Sequence, residues 1–348
     1  MNPFDKRILG NTDVCLNQLG FGSSGIGELW SALPEDQVQK TLRNAWDEGI
    51  KYYDTSPWYG RGLSELRLGH ALRTRPREEF VLSTKVGRLL ALPKDPARFD
   101  PSPWAGGLPF AHHRDYTYDG IMRSYEDSIQ RLGTPYIDLL VIHDIDHWHL
   151  GTDAKVNAYM SQLFTSGHRA LRDLKDQKLI RGIGAGINQK GTMQQFMDWV
   201  ELDFFLVALV YTLLDQEVLE TEMALAAERG IGFIVGGVFN SGILVTGAVE
   251  GALYNYKPAK PETLARVRSI EKVCARHSVP LAAAALQFPL GHPNVTSVLP
   301  SVIEPWQVTK NIQAMSHDIP KDFWLELKSE GILAAHVPTP PQPSSGLA

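Results

Sequence analysis

Short continuous apolar runs alternate with stretches of helical periodicity along most of this chain. The runs are "NQLGFG" (17–22), "IKYYD" (50–54), "EFVLSTK" (79–85), "IDLLVIH" (137–143), "IRGIGAG" (180–186), "FFLVALV" (204–210), "GFIVGGV" (232–238) and "VTSVLPS" (295–301). Short runs without polar alternation are expected of strands buried on both faces, as in a parallel sheet. Helical patterns follow over 35–48, 64–72, 118–132, 159–177, 191–199, 216–229, 261–277 and 305–314. Eight strand–helix units in one chain predict an α/β fold, a closed (β/α)8 TIM barrel, rather than an open sheet. Ahead of them "KRILGNTDVCLNQLG" (6–20) predicts a β-hairpin around Gly10-Asn11. Residues 87–116, with their prolines and "HHRDY", form a long loop at the C-terminal face, expected to be a mobile lid or part of a substrate wall. Residues 1–335 are expected to form one domain, and the Pro- and Ser-rich 336–348 a flexible tail.

Composition narrows the partners. A net charge of −5 and a pI near 6.1 leave no basic footprint, so nucleic acid is not expected. No apolar run of about 18 residues exists, so no membrane span is expected. The N-terminus has no apolar segment of a secretory kind. Two distant cysteines, Cys15 and Cys274, suit a reducing cytoplasm better than a disulfide framework.

In a barrel of this type the active site gathers at the C-terminal strand ends. Asp54 ends the second run, Lys85 the third and His143 the fourth, while Tyr59 lies in the loop "TSPWYG" after the second. Neighbouring strands bring these four side chains to one mouth. A nearby ammonium lowers the pKa of a phenol, so Lys85 is expected to favour the phenolate of Tyr59, with Asp54 holding the lysine. His143 is expected to donate to a substrate oxygen or to position the hydroxyl that loses its proton. The rival reading comes from "HDIDHWH" (143–149), since metal-dependent barrel hydrolases use such residues. Here they crowd one loop, whereas barrel metal sites draw ligands from several strands, so no metal is expected. "GFGSSG" (20–25) matches a dinucleotide fingerprint, but "IGELWSALPE" after it does not open a helix, so no Rossmann domain is expected. A non-catalytic binding subunit is a further alternative, which an NAD reduction assay separates from an enzyme.

"YYDTSPWYG" (52–60), "STK" (83–85), "IDLLVIH" and "GIGAGIN" (182–188) resemble the aldo-keto reductase superfamily over nearly all of residues 6–330. The resemblance implies a catalytic tetrad of Asp54, Tyr59, Lys85 and His143, and hydride exchange with a nicotinamide cofactor without metal. It implies cofactor contacts from Gly22, Ser23, Asn188, Tyr211, Asn240, Ser241, Gly242, Leu244, Ser301, Glu304, Gln307, Lys310 and Asn311. Gly186 and Ala208 stand where relatives place polar groups for the carboxamide, and Gly236 or Gly237 where they place a stacking tyrosine. These departures and "VFNSGIL" (238–244) resemble the branch of aldose 1-dehydrogenases and pyridoxal 4-dehydrogenase. That branch implies oxidation of a cyclic hemiacetal to a lactone, the substrate being an aldose such as L-fucose, D-arabinose or L-galactose, or alternatively pyridoxal. Trp30, Trp58, Trp148, His112, His113 and His147 are the expected substrate contacts. NAD is expected over NADP, because Glu304 stands where NADP-preferring relatives place a cation for the 2′-phosphate.

Overall fold

The computed structural model describes residues 1–341. Eight parallel strands form the central sheet: β1 (Phe21–Gly22), β2 (Tyr52–Asp54), β3 (Val81–Val86), β4 (Leu139–Ile142), β5 (Gly182–Ile187), β6 (Phe204–Ala208), β7 (Gly232–Gly236) and β8 (Val295–Leu299). They neighbour one another in chain order. Bridges Leu19↔Val298 and Gly22↔Ser301 join β8 back to β1 and close the barrel. The helices that follow the strands in turn are α1 (Glu35–Asp47), α2 (Leu63–Leu72), α3 (Tyr118–Leu132), α4 (His168–Asp176), α5 (Thr192–Trp199), α6 (Ala224–Glu228), α7 (Pro261–His277) and α8 (Pro305–Ser316). The expected (β/α)8 barrel is therefore present.

Strand parity divides the buried residues into two sets. Tyr52, Leu139, Val141, Phe204, Leu206, Ile234 and Leu299 pack together inside the barrel. Their immediate neighbours Tyr53, Leu140, Ile142, Phe205, Val207, Phe233 and Val235 pack outward against the helices. Burial on both faces is why these runs carry no polar alternation. The rings inside need space: a Cβ on Gly184 would come within 2.5 Å of the Phe204 ring. The predicted hairpin pairs Lys6–Ile8 with Cys15–Asn17, and Leu9, Val14 and Leu16 join the inner set. The hairpin thus plugs the N-terminal end, and the C-terminal mouth is left for chemistry.

Two segments outside the barrel strands bear on the mouth and the tail. The connection 87–116 contains a second hairpin, Arg88–Ala91 with Ala111–Arg114, and is pinned in place. Arg61 donates to the carbonyls of Pro101 (3.2 Å), Ser102 (3.0 Å) and Phe110 (3.0 Å). Glu28 accepts from Gly107 N (3.0 Å) and from Arg67 (2.9 Å). Of the two readings, lid or wall, these bonds favour the wall. The tail expected to be flexible from 336 begins packed, with Val337 only 2% exposed; residues 342–348 lie outside the described ones. No helix among the described residues is long and apolar enough to cross a membrane.

Candidate active site

Parity also selects the polar residues of the mouth. Asp54 continues the inward set of β2 from Tyr52, Lys85 that of β3, and His143 that of β4 from Leu139 and Val141. Lys85 is 2% exposed and donates to Asp54 Oδ2 and to the Thr55 carbonyl, both at 2.7 Å. Ser83 donates to the other carboxylate oxygen at 2.7 Å, so Asp54 is held on both sides. The lysine ammonium lies 4.6 Å from the centroid of the Tyr59 ring. Tyr59 sits in a tight turn made by three successive residues of positive φ, Gly60 (61°), Arg61 (55°) and Gly62 (96°). The loop after β1 presses onto that turn, and a Cβ on Gly27 would lie 2.7 Å from the Tyr59 carbonyl carbon. His143 meets the tyrosine edge-on, with ring centroids 6.2 Å apart. The four residues singled out by sequence are thus brought together.

The electrostatics differ from the expectation in one respect. Burial raises the Tyr59 pKa above its usual value; Lys85 pulls it down as expected, but Asp54 pushes it up again, and the net direction is upward. For Lys85 burial works downward, yet Asp54 and Tyr59 together hold its pKa above the usual value. Burial takes His143 well below the ordinary histidine range, against Asp144 and with Arg88 and Lys85, so its ring is neutral at physiological pH.

The opposite side of the mouth is built from small residues. The inward positions there are Gly186, Ala208 and Gly236. Gly186 pairs in register with Leu206, and Ala208 with Gly236. A Cβ on Gly186 would touch nothing closer than 3.6 Å, and one on Gly236 nothing closer than 3.3 Å. A flat ring fits against such a wall, facing the charged half, so the residues present suit a nicotinamide. Asn188, next on the same face, donates to Asp144 Oδ1 (2.9 Å), which leaves its carbonyl for a carboxamide.

The outer cofactor candidates are spread over three loops. Gly22 lies against the backbone of Leu299 and Pro300. Ser301 Oγ accepts from Gly25 N at 2.8 Å. Gln307 Oε1 accepts from Ile303 N (2.7 Å) and Glu304 N (3.2 Å), and Glu304 reciprocates in a capping box that starts α8. Lys310 is exposed and Asn311 partly so on that helix. Ser241 and Gly242 form a turn with φ of 62° and 103°, and Ser241 Oγ accepts from Tyr256 N at 2.9 Å. Asn240 is fully buried and donates to Asp215 at 3.2 Å.

Three candidates do not present side chains to the mouth. Tyr211 is 0% exposed, its ring packed on Phe288 (5.6 Å) and His292 (6.0 Å) outside the barrel. Leu244 is equally buried in the outer core. Ser23 is fully enclosed and bonded to Ser64 at 2.8 Å. The apolar surroundings that bury the first two carried no distinguishing pattern in sequence.

The substrate candidates divide similarly. Trp58 lies 4.4 Å from His112 and 5.7 Å from Trp104, forming an aromatic wall with Tyr59. His113 follows His112 on an extended strand, so the pleat turns it to the other face, where it is exposed. His147 is exposed and bonded to Asp153. Trp30 and Trp148 are 58% and 43% exposed and flank Tyr256, at 6.1 and 6.4 Å. Sequence reasoning missed Tyr256, Trp104 and Arg88. Tyr256 stands in a two-residue turn with Asn255, both at positive φ, joining Leu253–Tyr254 to Lys257–Pro258. The "YNYK" asparagine was the available signal.

The histidine- and aspartate-rich loop resolves into a hydrogen-bonded network. Ligand atoms of Asp144, Asp146 and His149 lie within 4.8 Å of one another. Asp144 already receives Arg88 and Asn188, and Asp146 receives His149 (2.8 Å) and, at 3.4 Å, Asn188. Arg88 supplies the positive charge that a cation would otherwise bring.

Comparison with known proteins agrees with this geometry. Residues 18–330 match the model of the aldo/keto reductase family. The chain is 38% identical over 340 residues to pyridoxal 4-dehydrogenase of Microbacterium luteolum, across 95% of this chain and 98% of that protein. It is 36% identical over 338 residues to D-threo-aldose 1-dehydrogenase of a Pseudomonas species, across 94% and 96%. Among solved structures, an aldo-keto reductase of Bacillus halodurans in its holo form superposes with a TM-score of 0.73 at 23% identity, covering 98% of this chain and 99% of that one.

Proposed function

This chain belongs to the aldo/keto reductase family, and from that premise we propose that it oxidises a cyclic hemiacetal at its C–OH carbon to a lactone with NAD. The observation that carries the reading is the placement of Lys85 between Asp54 and the Tyr59 ring, opposite a wall of small residues. Tyr59 is the base: its oxygen takes the hydroxyl proton as the C–H bond breaks. Lys85 holds the charge that develops on the phenol, and Asp54 holds Lys85. His143, neutral, donates to the substrate oxygen and orients it. The bound nicotinamide supplies the hydride acceptor and a positive charge. Gly186, Ala208 and Gly236 would take the face of its ring, Asn188 its carboxamide, and Ser301 with the start of α8 its adenosine end. Trp58, Trp104 and His112 offer the aromatic wall on which a sugar ring packs.

The 38% identity to pyridoxal 4-dehydrogenase favours a second choice of substrate. Pyridoxal also closes to a hemiacetal, and the same four residues serve it. Incubation with NAD and L-fucose, D-arabinose, L-galactose or pyridoxal, followed by absorbance and by NMR of the early product, separates the two. A lactone is expected to appear first with at least one of them. An open-chain acid with no lactone at any time, or no NAD reduction with all four, overturns the reading.

A further inference from the structure

Three large aromatic side chains stay partly in water where loops meet over the mouth. Trp30 comes from the loop after β1, Trp148 from the loop after β4 and Tyr256 from the connection after β7. They are 58%, 43% and 51% exposed, and Tyr256 has both tryptophans as ring neighbours, at 6.1 and 6.4 Å. Its hydroxyl end is nonetheless enclosed. Burial is the main cause that lifts its pKa to about 12, and the groups that add to it are Tyr59 and Asp144. The ring therefore reaches from the rim toward the tetrad, with one edge in water.

The turn itself does not call for a tyrosine. Asn255 and Tyr256 are the two central residues of the hairpin turn, at φ of 50° and 63°. A turn with both central residues at positive φ prefers Asn-Gly, and a bulky side chain at the second position is strained. Bonds around the hairpin hold it there. Tyr254 Oη donates to both oxygens of Asp215, at 2.9 and 2.8 Å, and Tyr256 N donates to Ser241 Oγ at 2.9 Å. A hairpin anchored at its base and strained at its tip thus carries one ring over the mouth.

We propose that Tyr256 is a specificity-determining residue: with Trp30 and Trp148 it roofs the substrate site, packs on the face of a single substrate ring and leaves no room for a second. This rests on the oxidation of a cyclic hemiacetal proposed above. A sugar ring offers its C–H face to such a roof and a pyridine ring its π face, so both choices of substrate suit it. A reducing disaccharide carries the same hemiacetal, but its second ring would have to displace Tyr256.

Tyr256→Gly separates this role from a structural one, because it gives the turn its preferred pair and removes only the ring. Its thermal midpoint is expected to equal or exceed that of wild type. The KM for the best of the four hemiacetals is expected to rise about fivefold, with the KM for NAD unchanged, as loss of one stacked face implies. The ratio of kcat/KM for lactose to kcat/KM for that hemiacetal is expected to rise about tenfold or more. Tyr256→Phe, which returns the ring without the hydroxyl, is expected to restore both values to within about twofold of wild type. An unchanged substrate KM and an unchanged lactose ratio in folded Tyr256→Gly overturn the proposal. So does a Tyr256→Phe that behaves like Tyr256→Gly, which would place the effect in the hydroxyl. If wild type oxidises none of the four hemiacetals, the same variants are read in the NADH-dependent reduction of 4-nitrobenzaldehyde. A raised aldehyde KM in Tyr256→Gly then supports the roof and overturns the assigned reaction instead; an unchanged one overturns both.

Discussion

At Tyr59 two opposing effects are settled by burial. The lysine stabilises phenolate, but the phenol is enclosed and Asp54 offsets the lysine's charge, so the free protein holds the proton above the usual phenol range. Oxidation needs the deprotonated oxygen. kcat/KM for hemiacetal oxidation is therefore expected to climb steadily from pH 7 to about 10, the unperturbed phenol value, without a plateau. No inflection is expected near 6.5, because His143 stays neutral there. A plateau reached below pH 8 would show that cofactor charge or Lys85 overcomes burial. Tyr59→Phe removes only the ionisable oxygen. Its kcat is expected to fall by about 10²-fold or more, the usual share of an acid–base group, with NAD affinity measured by fluorescence quenching changed less than about twofold. A variant keeping a tenth of wild-type kcat would remove Tyr59 from the role of base.

At the scale of elements, regular pieces were legible in the sequence and irregular ones were not. The eight strands announced themselves because burial on both faces forces continuous apolar runs, and Asp54, Lys85 and His143 could be placed because they end such runs. The turn bearing Tyr256 lies in "LYNYKP", where only the asparagine hints at positive φ. The pinning of 87–116 was hidden because Arg61 and Glu28 act on it from other loops, through backbone carbonyls and amides that no side-chain pattern reports. Arg61→Met is expected to release that segment. Limited proteolysis within 92–110 should accelerate, and the substrate KM should rise severalfold with the NAD KM unchanged. Equal proteolysis rates would mean that Glu28 and Trp104 suffice to hold it. Glu304 has a structural role beside its expected one. Its carboxylate caps α8 and so occupies the helix end that attracts anions. A 2′-phosphate approaching there meets both repulsion and a filled site. A preference for NAD over NADP of at least tenfold in kcat/KM is expected, about 1.4 kcal/mol. Glu304→Arg should shrink or reverse it; comparable efficiency with NADP in wild type would instead give Lys310 the deciding role.

Over the whole molecule, a single barrel interior is divided between a plugged apolar floor and a polar mouth, and acid attacks both regions by way of histidines. His143 is 5% exposed at the mouth, and its pKa is pushed well below the ordinary value by burial. His292 is 7% exposed beneath β8, between the rings of Tyr211 and Phe233, and burial lowers it to about 4. Both rings are neutral when folded and take up a proton more readily when unfolded. The stability they contribute is fully present above about pH 6.5, the unfolded histidine value, and is lost as the pH falls toward their folded values. While it stays neutral in the fold, His292 then removes about 1.4 kcal/mol per pH unit, and His143 acts in the same direction. Against a total stability on the order of 5–15 kcal/mol this is a large share. Asp144, lowered to about 2 by His143 and Arg88 against its burial, adds its own loss only below about pH 4. Urea midpoints are therefore expected to hold steady from pH 8 to 6.5 and to drop steeply between pH 6 and 4.5, before carboxylates titrate. In His292→Gln, which cannot ionise, the slope over that window should fall by about 1.4 kcal/mol per pH unit while the pH 8 midpoint changes by a constant offset. An unaltered slope in this variant would place the acid sensitivity in the mouth alone.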